Sequence, residues 1–179
     1  ILAQPDRSTL IGQRDHVLLS LLYNTGARIQ EALDLRPQAI RFDAPACVRL
    51  YGKGRKERIS PLWPETVALL RSLLERIPTP ADEPLFVNRY GNPLSASGVR
   101  FKLADYVRAA EKTAPTLARK HVTPHSFRHA TAVHLVAAGV DVTVIRSWLG
   151  HVSLETTNHY AQANLETKRK ALERVERPK

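Results

Sequence analysis

The chain has 179 residues, of which 43% are hydrophobic and 25% charged, the balance of a folded globular domain and not of a disordered segment. Its 27 Lys and Arg outweigh 17 Asp and Glu to give a net charge of +10, which points to a polyanionic partner, most often nucleic acid, although a merely basic surface would carry the same number. No run approaches the roughly 18 apolar residues of a membrane span, no secretory leader is visible at Ile1–Pro5, and the single Cys47 excludes an internal disulfide framework and fits a reducing cytoplasm.

Residues 14–24 carry Val17, Leu18, Leu21 and Leu22 at helical spacing, and Thr25-Gly26 stops them. A second short helix carries Ile29, Ala32, Leu33 and Leu35 and ends at Pro37. Arg28 and Glu31, three positions apart, share a face at its start. From 38 to 62 the period changes: Val48, Leu50 and Ile59 alternate with polar residues, as in strands. Gly52-Lys53-Gly54-Arg55-Lys56 lies between them as a hairpin tip whose glycines leave Lys53 free to swing. Cys47 reads as a small core residue of the first strand.

Pro64 opens a helix with a broad apolar face of Val67, Leu69, Leu70, Leu73 and Leu74. A proline-rich loop over 78–84, a short strand Leu85–Val87 and a helix from Ser97 to Ala110 follow. Residues 111–122 read as a polar loop. Thr123-Pro124 then makes an N-cap and first helical residue, for a helix that turns Phe127, Thr131, Leu135 and Ala138 inward and ends at Gly139. Asp141 caps the next helix, with Val144, Ile145 and Leu149 facing the core and Gly150 as its terminator. Ser153 caps a short helix bearing Tyr160. An amphipathic helix with Leu165, Ala171, Leu172 and Val175 closes the chain. The expected fold is α+β: mainly helical, with a small antiparallel sheet and no internal repeat.

The chemistry concentrates in a few places. His125 and Arg128 are three positions apart on the first turns of a helix, where free N–H groups and the positive end of the dipole favour phosphate. By itself His-x-x-Arg is more often a surface pair; its companions make it specific. Thr25-Gly26-Ala27-Arg28-Ile29-Gln30-Glu31-Ala32-Leu33-Asp34-Leu35 resembles the first arginine box of the tyrosine recombinases, the phage-integrase family. Gly52-Lys53-Gly54-Arg55-Lys56-Glu57-Arg58 resembles that family's lysine hairpin, and Thr123–His129 its His-x-x-Arg box. Leu149-Gly150-His151 and Thr156-Thr157-Asn158-His159-Tyr160 resemble its second histidine and its nucleophile segment. The order and spacing agree over about residues 10–165, most nearly with bacterial chromosome-dimer-resolving and transposon-borne integrases.

The resemblance implies a tyrosine recombinase catalytic domain fold and a metal-free, ATP-free strand transfer on double-stranded DNA. Tyr160 would attack a phosphodiester to give a 3′-phosphotyrosine. Arg28 and Arg128, with His151, would stabilise the transition-state charge. His125 would act as base or proton relay for a phenol whose ordinary pKa is about 10, and Lys53 as acid for the leaving 5′ oxygen. Glu31 and His129 would support the arginines. The resemblance implies no cofactor, no metal and no membrane, and it places the protein in a bacterial cytoplasm, on the nucleoid. Other protomers on DNA are implied as partners, as a tetrameric synapse, with the terminal helix packing in cis or docking on a neighbour. The start at Ile1 and the lack of methionine suit a piece of a longer protein whose N-terminal, core-binding domain is absent from this chain.

Other readings lie beside this one. His125 and His129 have a zinc-compatible spacing, but Ser126 stands where His-Glu-x-x-His needs glutamate. His134 reads as a packed helix residue, and His16 and His121 as surface ones. A catalytically silent DNA-binding descendant and a related strand-cutting topoisomerase are the functional alternatives; the full set of side chains speaks against the former, and strand exchange between two sites would separate out the latter.

Overall fold

A computed structural model of the chain describes residues 1–52, 54 and 56–150. The expectations for Lys53, Arg55, His151, the Ser153 cap, Tyr160 and the terminal helix lie outside the described residues. Among the described residues six α-helices and three strands follow one another as α1 (Leu10–Thr25), α2 (Ile29–Leu33), β1 (Ile40–Arg41), β2 (Cys47–Tyr51), β3 (Glu57–Pro61), α3 (Pro64–Arg76), α4 (Ala96–Glu111), α5 (Pro124–Ala137) and α6 (Val142–Leu149). This is the mainly helical α+β fold that the periodicities predict.

Helix α1 is the centre of the molecule. Val17, Leu18, Leu19, Leu21 and Leu22 are all buried, and the helix packs against α2, α3 and α5. It begins at Leu10, a turn earlier than its apolar pattern predicts. Thr9 caps it by accepting the Gly12 N–H at 3.0 Å. The first turn is unreadable from hydrophobic spacing because Leu10 and Ile11 face solvent, while Gly12 is tucked against the backbone of Asp6, where a Cβ would stand 2.0 Å from the carbonyl oxygen. At the other end Gly26, at φ 60°, terminates the helix in the left-handed conformation.

The three-stranded antiparallel sheet has the order β1-β2-β3. Val48 pairs with Ser60, and Leu50 with Arg58. Val48 and Leu50 are buried as their alternation predicts, but Ile59 is 58% exposed. It faces outward because Arg58 and Ser60 take the inward positions of β3, the first for the ion pair described below. Cys47 is half-buried. Residues 85–87 form no strand; Leu85 and Phe86 are buried, and Val87 makes a single bridge to Pro93. The loop predicted over 111–122 contains a 3-10 turn, Pro115–Arg119.

A second, smaller core joins α5 to α6 through Ala132, Val136, Ile145 and Leu149. Here two expectations fail. Ala138 is exposed, with Ala132 and Val136 taking the inward positions; α5 ends at Ala137, so residue 138 lies beyond its buried stripe. Val144 is 49% exposed, because the eight-residue α6 buries only Ile145 and Leu149, one turn apart. His16 is half-buried, its Nδ1 2.8 Å from the Leu2 carbonyl oxygen, and His121 is exposed as expected. His134 is exposed but meets Tyr23 edge-on, its Nδ1 2.5 Å from the Tyr23 hydroxyl. No helix among the described residues is long and apolar enough to cross a membrane.

Candidate active site

The candidate site forms where the start of α2, the β2–β3 hairpin, α5 and α6 come together. Arg28 occupies the residue before α2, in extended conformation. Glu31 folds back on it: the carboxylate accepts the Arg28 backbone N–H at 2.9 Å and its Nη1 at 2.8 Å. The Arg28 side chain is 45% exposed while that of Glu31 is only 4% exposed. The guanidinium thus reaches solvent from a buried anionic seat.

The second oxygen of that seat is taken by a residue the sequence reading passed over. Arg58 Nη1 lies 2.8 Å from Glu31 Oε2, with the Arg58 side chain 9% exposed. Its Nε donates to the Trp148 carbonyl oxygen at 3.0 Å. Alternation along β3 held the signal, since an arginine at an inward strand position demands a buried acid. Burial pushes the Glu31 carboxyl up, but the Arg58 charge and the hydrogen bonds from Arg28 and Arg58 outweigh it, so Glu31 titrates below its ordinary range.

Arg28, Glu31 and Arg58, with Gly52, Lys56, Arg146 and Gly150, line an open cleft of about 910 Å³. Of the eleven described lining residues four are basic and two, Glu31 and Glu57, are acidic, so the net positive cleft attracts anions. Gly52, which precedes Lys53, comes close to Glu31: a Cβ there would be 3.2 Å from Oε1. Gly150, which precedes His151, lies against Arg58, where a Cβ would be 3.0 Å from Cδ.

Thr123 and Pro124 start α5 as predicted, with Ser126 Oγ accepting the Thr123 N–H at 3.0 Å. The helix carries its two predicted residues to different depths. His125 is exposed; Arg128 is 2% exposed. Partial desolvation, then the positive charges of Arg128, Arg28 and His129, hold the His125 imidazole below its ordinary pKa. A neutral ring beside arginines can accept a proton at pH 7. Arg128 instead braces the site from behind, donating Nη1 to the Gly26 carbonyl at 2.7 Å and Nη2 to the Leu149 carbonyl at 2.6 Å. These carbonyls belong to the turn before Arg28 and to the end of α6. His129 is exposed, close enough to His125 to act on its charge.

Of the eight residues singled out from sequence, Arg28, Glu31, His125, Arg128 and His129 are therefore brought into one neighbourhood. Lys53, His151 and Tyr160 lie outside the described residues.

A mainly helical domain with an arginine-lined, anion-attracting cleft is the class that this geometry defines. The chain belongs to the phage integrase family, whose model matches residues 1–167. It is 43% identical over 173 residues to the y4rC protein of Sinorhizobium fredii, an integrase/recombinase by name, covering 96% of this chain and 52% of that protein. It is 34% identical to the tyrosine recombinase XerC of Chlamydia caviae, covering 97% and 54%. Among solved structures, the XerA recombinase matches with a TM-score of 0.75 at 28% identity, over 94% of this chain and 62% of that one. The XerH site-specific recombinase, in a post-cleavage complex with its palindromic difH substrate, matches with a TM-score of 0.78 at 24% identity, over 97% and 49%. The fold is that of a tyrosine recombinase catalytic domain. The chain spans about half the length of the curated relatives it matches.

Proposed function

We propose that residues 1–179 are the catalytic domain of a site-specific DNA recombinase, a longer protein whose core-binding domain completes the grip on double-stranded DNA. The observation that carries this reading is the cationic cleft in which exposed Arg28 stands on Glu31, with Gly52 and Gly150, the residues before Lys53 and His151, against its walls. Family membership and the relatives' names support it.

In this reading a DNA phosphate enters the cleft and Arg28 donates to its non-bridging oxygens. The Tyr160 hydroxyl attacks phosphorus and passes its proton to His125, which is neutral before the step. The P–O5′ bond breaks, the leaving oxygen takes a proton from Lys53, and a 3′-phosphotyrosine remains. Attack by the 5′-hydroxyl of a second duplex reverses the step and exchanges strands without ATP. Arginine, lysine and histidine supply the charge that a metal supplies in other phosphoryl transfers. Arg128 stabilises the same charge through its field; for direct contact it must release the Gly26 or Leu149 carbonyl. His151 adds a hydrogen bond, and His129 supports His125 and Arg128. Four protomers on two duplexes in the bacterial nucleoid complete the reading.

The test is to incubate the full-length protein with two DNA sites drawn from its own genetic neighbourhood and to look for recombinant products. Products joined across the two sites support a recombinase. Nicking and resealing without partner exchange would indicate a topoisomerase instead, and DNA binding without cleavage a silent relative.

A further inference from the structure

We propose that Arg58 is a positioning residue of the phosphate site: it locks the Glu31 seat under Arg28 and, with the same guanidinium, fixes the end of α6 that leads into His151. The inference rests on the recombinase reading for its functional half only.

The geometry is a relay across three elements. Arg28 Nη1 rests on Glu31 Oε1, Glu31 Oε2 rests on Arg58 Nη1, and Arg58 Nε holds the Trp148 carbonyl oxygen, at 2.8, 2.8 and 3.0 Å. Both glycines of the cleft wall lean on this relay. Gly52 sits against Glu31 and Gly150 against the Arg58 stem, so a side chain at either place would press on the pair. Stability alone is a poor account of it. A buried ion pair seldom outperforms an apolar pair of like shape, and Arg58 Nη2 is buried with no hydrogen-bond partner among the described residues. A planar fork suits the double task because two donors on one rigid plane fix the carboxylate and the carbonyl relative to each other. Arg28 is the part that gains: at 45% exposure its ion pair with Glu31 is weak alone, and only a carboxylate that cannot turn keeps the guanidinium aimed.

The experiment compares Arg58→Met and Arg58→Lys with the unaltered protein by two readouts. In this chain, the NMR signals of the Arg28 guanidinium report its rotational freedom. In the full-length protein, single-turnover formation of the covalent DNA adduct gives the rate at saturating DNA and the apparent affinity separately. For Arg58→Met the Arg28 guanidinium should rotate freely, and the saturating rate should fall about 100-fold, the scale of a misplaced reacting group, with affinity changed less than about 3-fold. Arg58→Lys keeps the charge but not the fork and should lose about 10-fold. If the Met variant does not fold, the Lys variant decides alone: an unchanged rate and an ordered Arg28 overturn the proposal. A folded Met variant with an ordered Arg28 and a rate within 3-fold also overturns it. If the unaltered protein forms no adduct, the recombinase reading fails, and the Arg28 signals still judge the relay.

Discussion

Removing the Glu31 carboxylate tests whether its buried seat holds the site together. Among the described residues Glu31 makes two ion pairs of unequal weight. The one with Arg28 is 45% exposed on the arginine side and contributes no more than about 1 kcal/mol. The one with Arg58 is 9% and 4% exposed on its two sides, and deleting one partner of such a pair strands the other charge at a cost of about 3–5 kcal/mol. Glu31→Ala is therefore expected to destabilise the domain by about 3–5 kcal/mol, dominated by stranded Arg58. At roughly 2–4 °C per kcal/mol for a chain of this size, the melting midpoint should drop by roughly 6–20 °C. Urea denaturation at pH 7 gives the free energy and calorimetry the midpoint. The pH dependence follows in sign. The folded pKa of Glu31 lies below its unfolded value, so its contribution is fully present above the unfolded value, about 4.3, and is lost as pH falls through the folded one. The gap between the unaltered chain and Glu31→Gln should narrow as pH falls below the unfolded value and close only below the folded one. A Glu31→Ala midpoint within about 2 °C of the unaltered chain would refute the reasoning.

Gly26→Ala meets a left-handed backbone and a Cβ position 2.4 Å from Leu149 Cδ2, so it should cost about 2–4 kcal/mol in chemical denaturation, strain plus overpacking. Gly139→Ala has the strain (φ 78°) but open space, and should cost only about 1–2 kcal/mol; equal costs would show that the Leu149 contact is irrelevant. Arg28→Ala should slow covalent attachment to DNA by about 100-fold or more, and Arg28→Lys should recover only part of it, as followed by denaturing gels. His125 is held below its ordinary pKa, so the acid limb of the attachment rate should lie below that of an ordinary imidazole; His125→Asn should abolish that limb, and an unchanged limb would acquit the residue.

What the sequence made legible divides by the kind of force involved. Helices with a repeated apolar stripe or a signalled end, such as α3 behind Pro64 and α6 between Asp141 and Gly150, were readable because capping and periodicity are local. The first turn of α1 was not, since it is held by a cap and by Gly12 against Asp6, with no apolar face inward. Val144 was misread because α6 is too short to bury more than one residue per turn. Of the candidate site, Arg28, Glu31, His125 and Arg128 were named from motif and spacing, and the fold brings them together. Their unequal depths were illegible: that Arg128 spends two donors on backbone carbonyls depends on Gly26 and Leu149, 102 and 21 residues away. Arg58 was missed because it ends the stretch read as the lysine hairpin, where Lys53 took the role, while its partner, Glu31, lies on another element.

The central claim is that Tyr160 becomes covalently joined to DNA. It is tested most directly by trapping the full-length protein on a nicked duplex from its genetic neighbourhood, digesting the product and identifying the modified peptide by mass spectrometry. The account predicts a nucleotide joined through its 3′ phosphate to the peptide containing Tyr160, and no adduct from Tyr160→Phe although that variant still binds DNA. An adduct on another residue, or one that survives in the Phe variant, would contradict it.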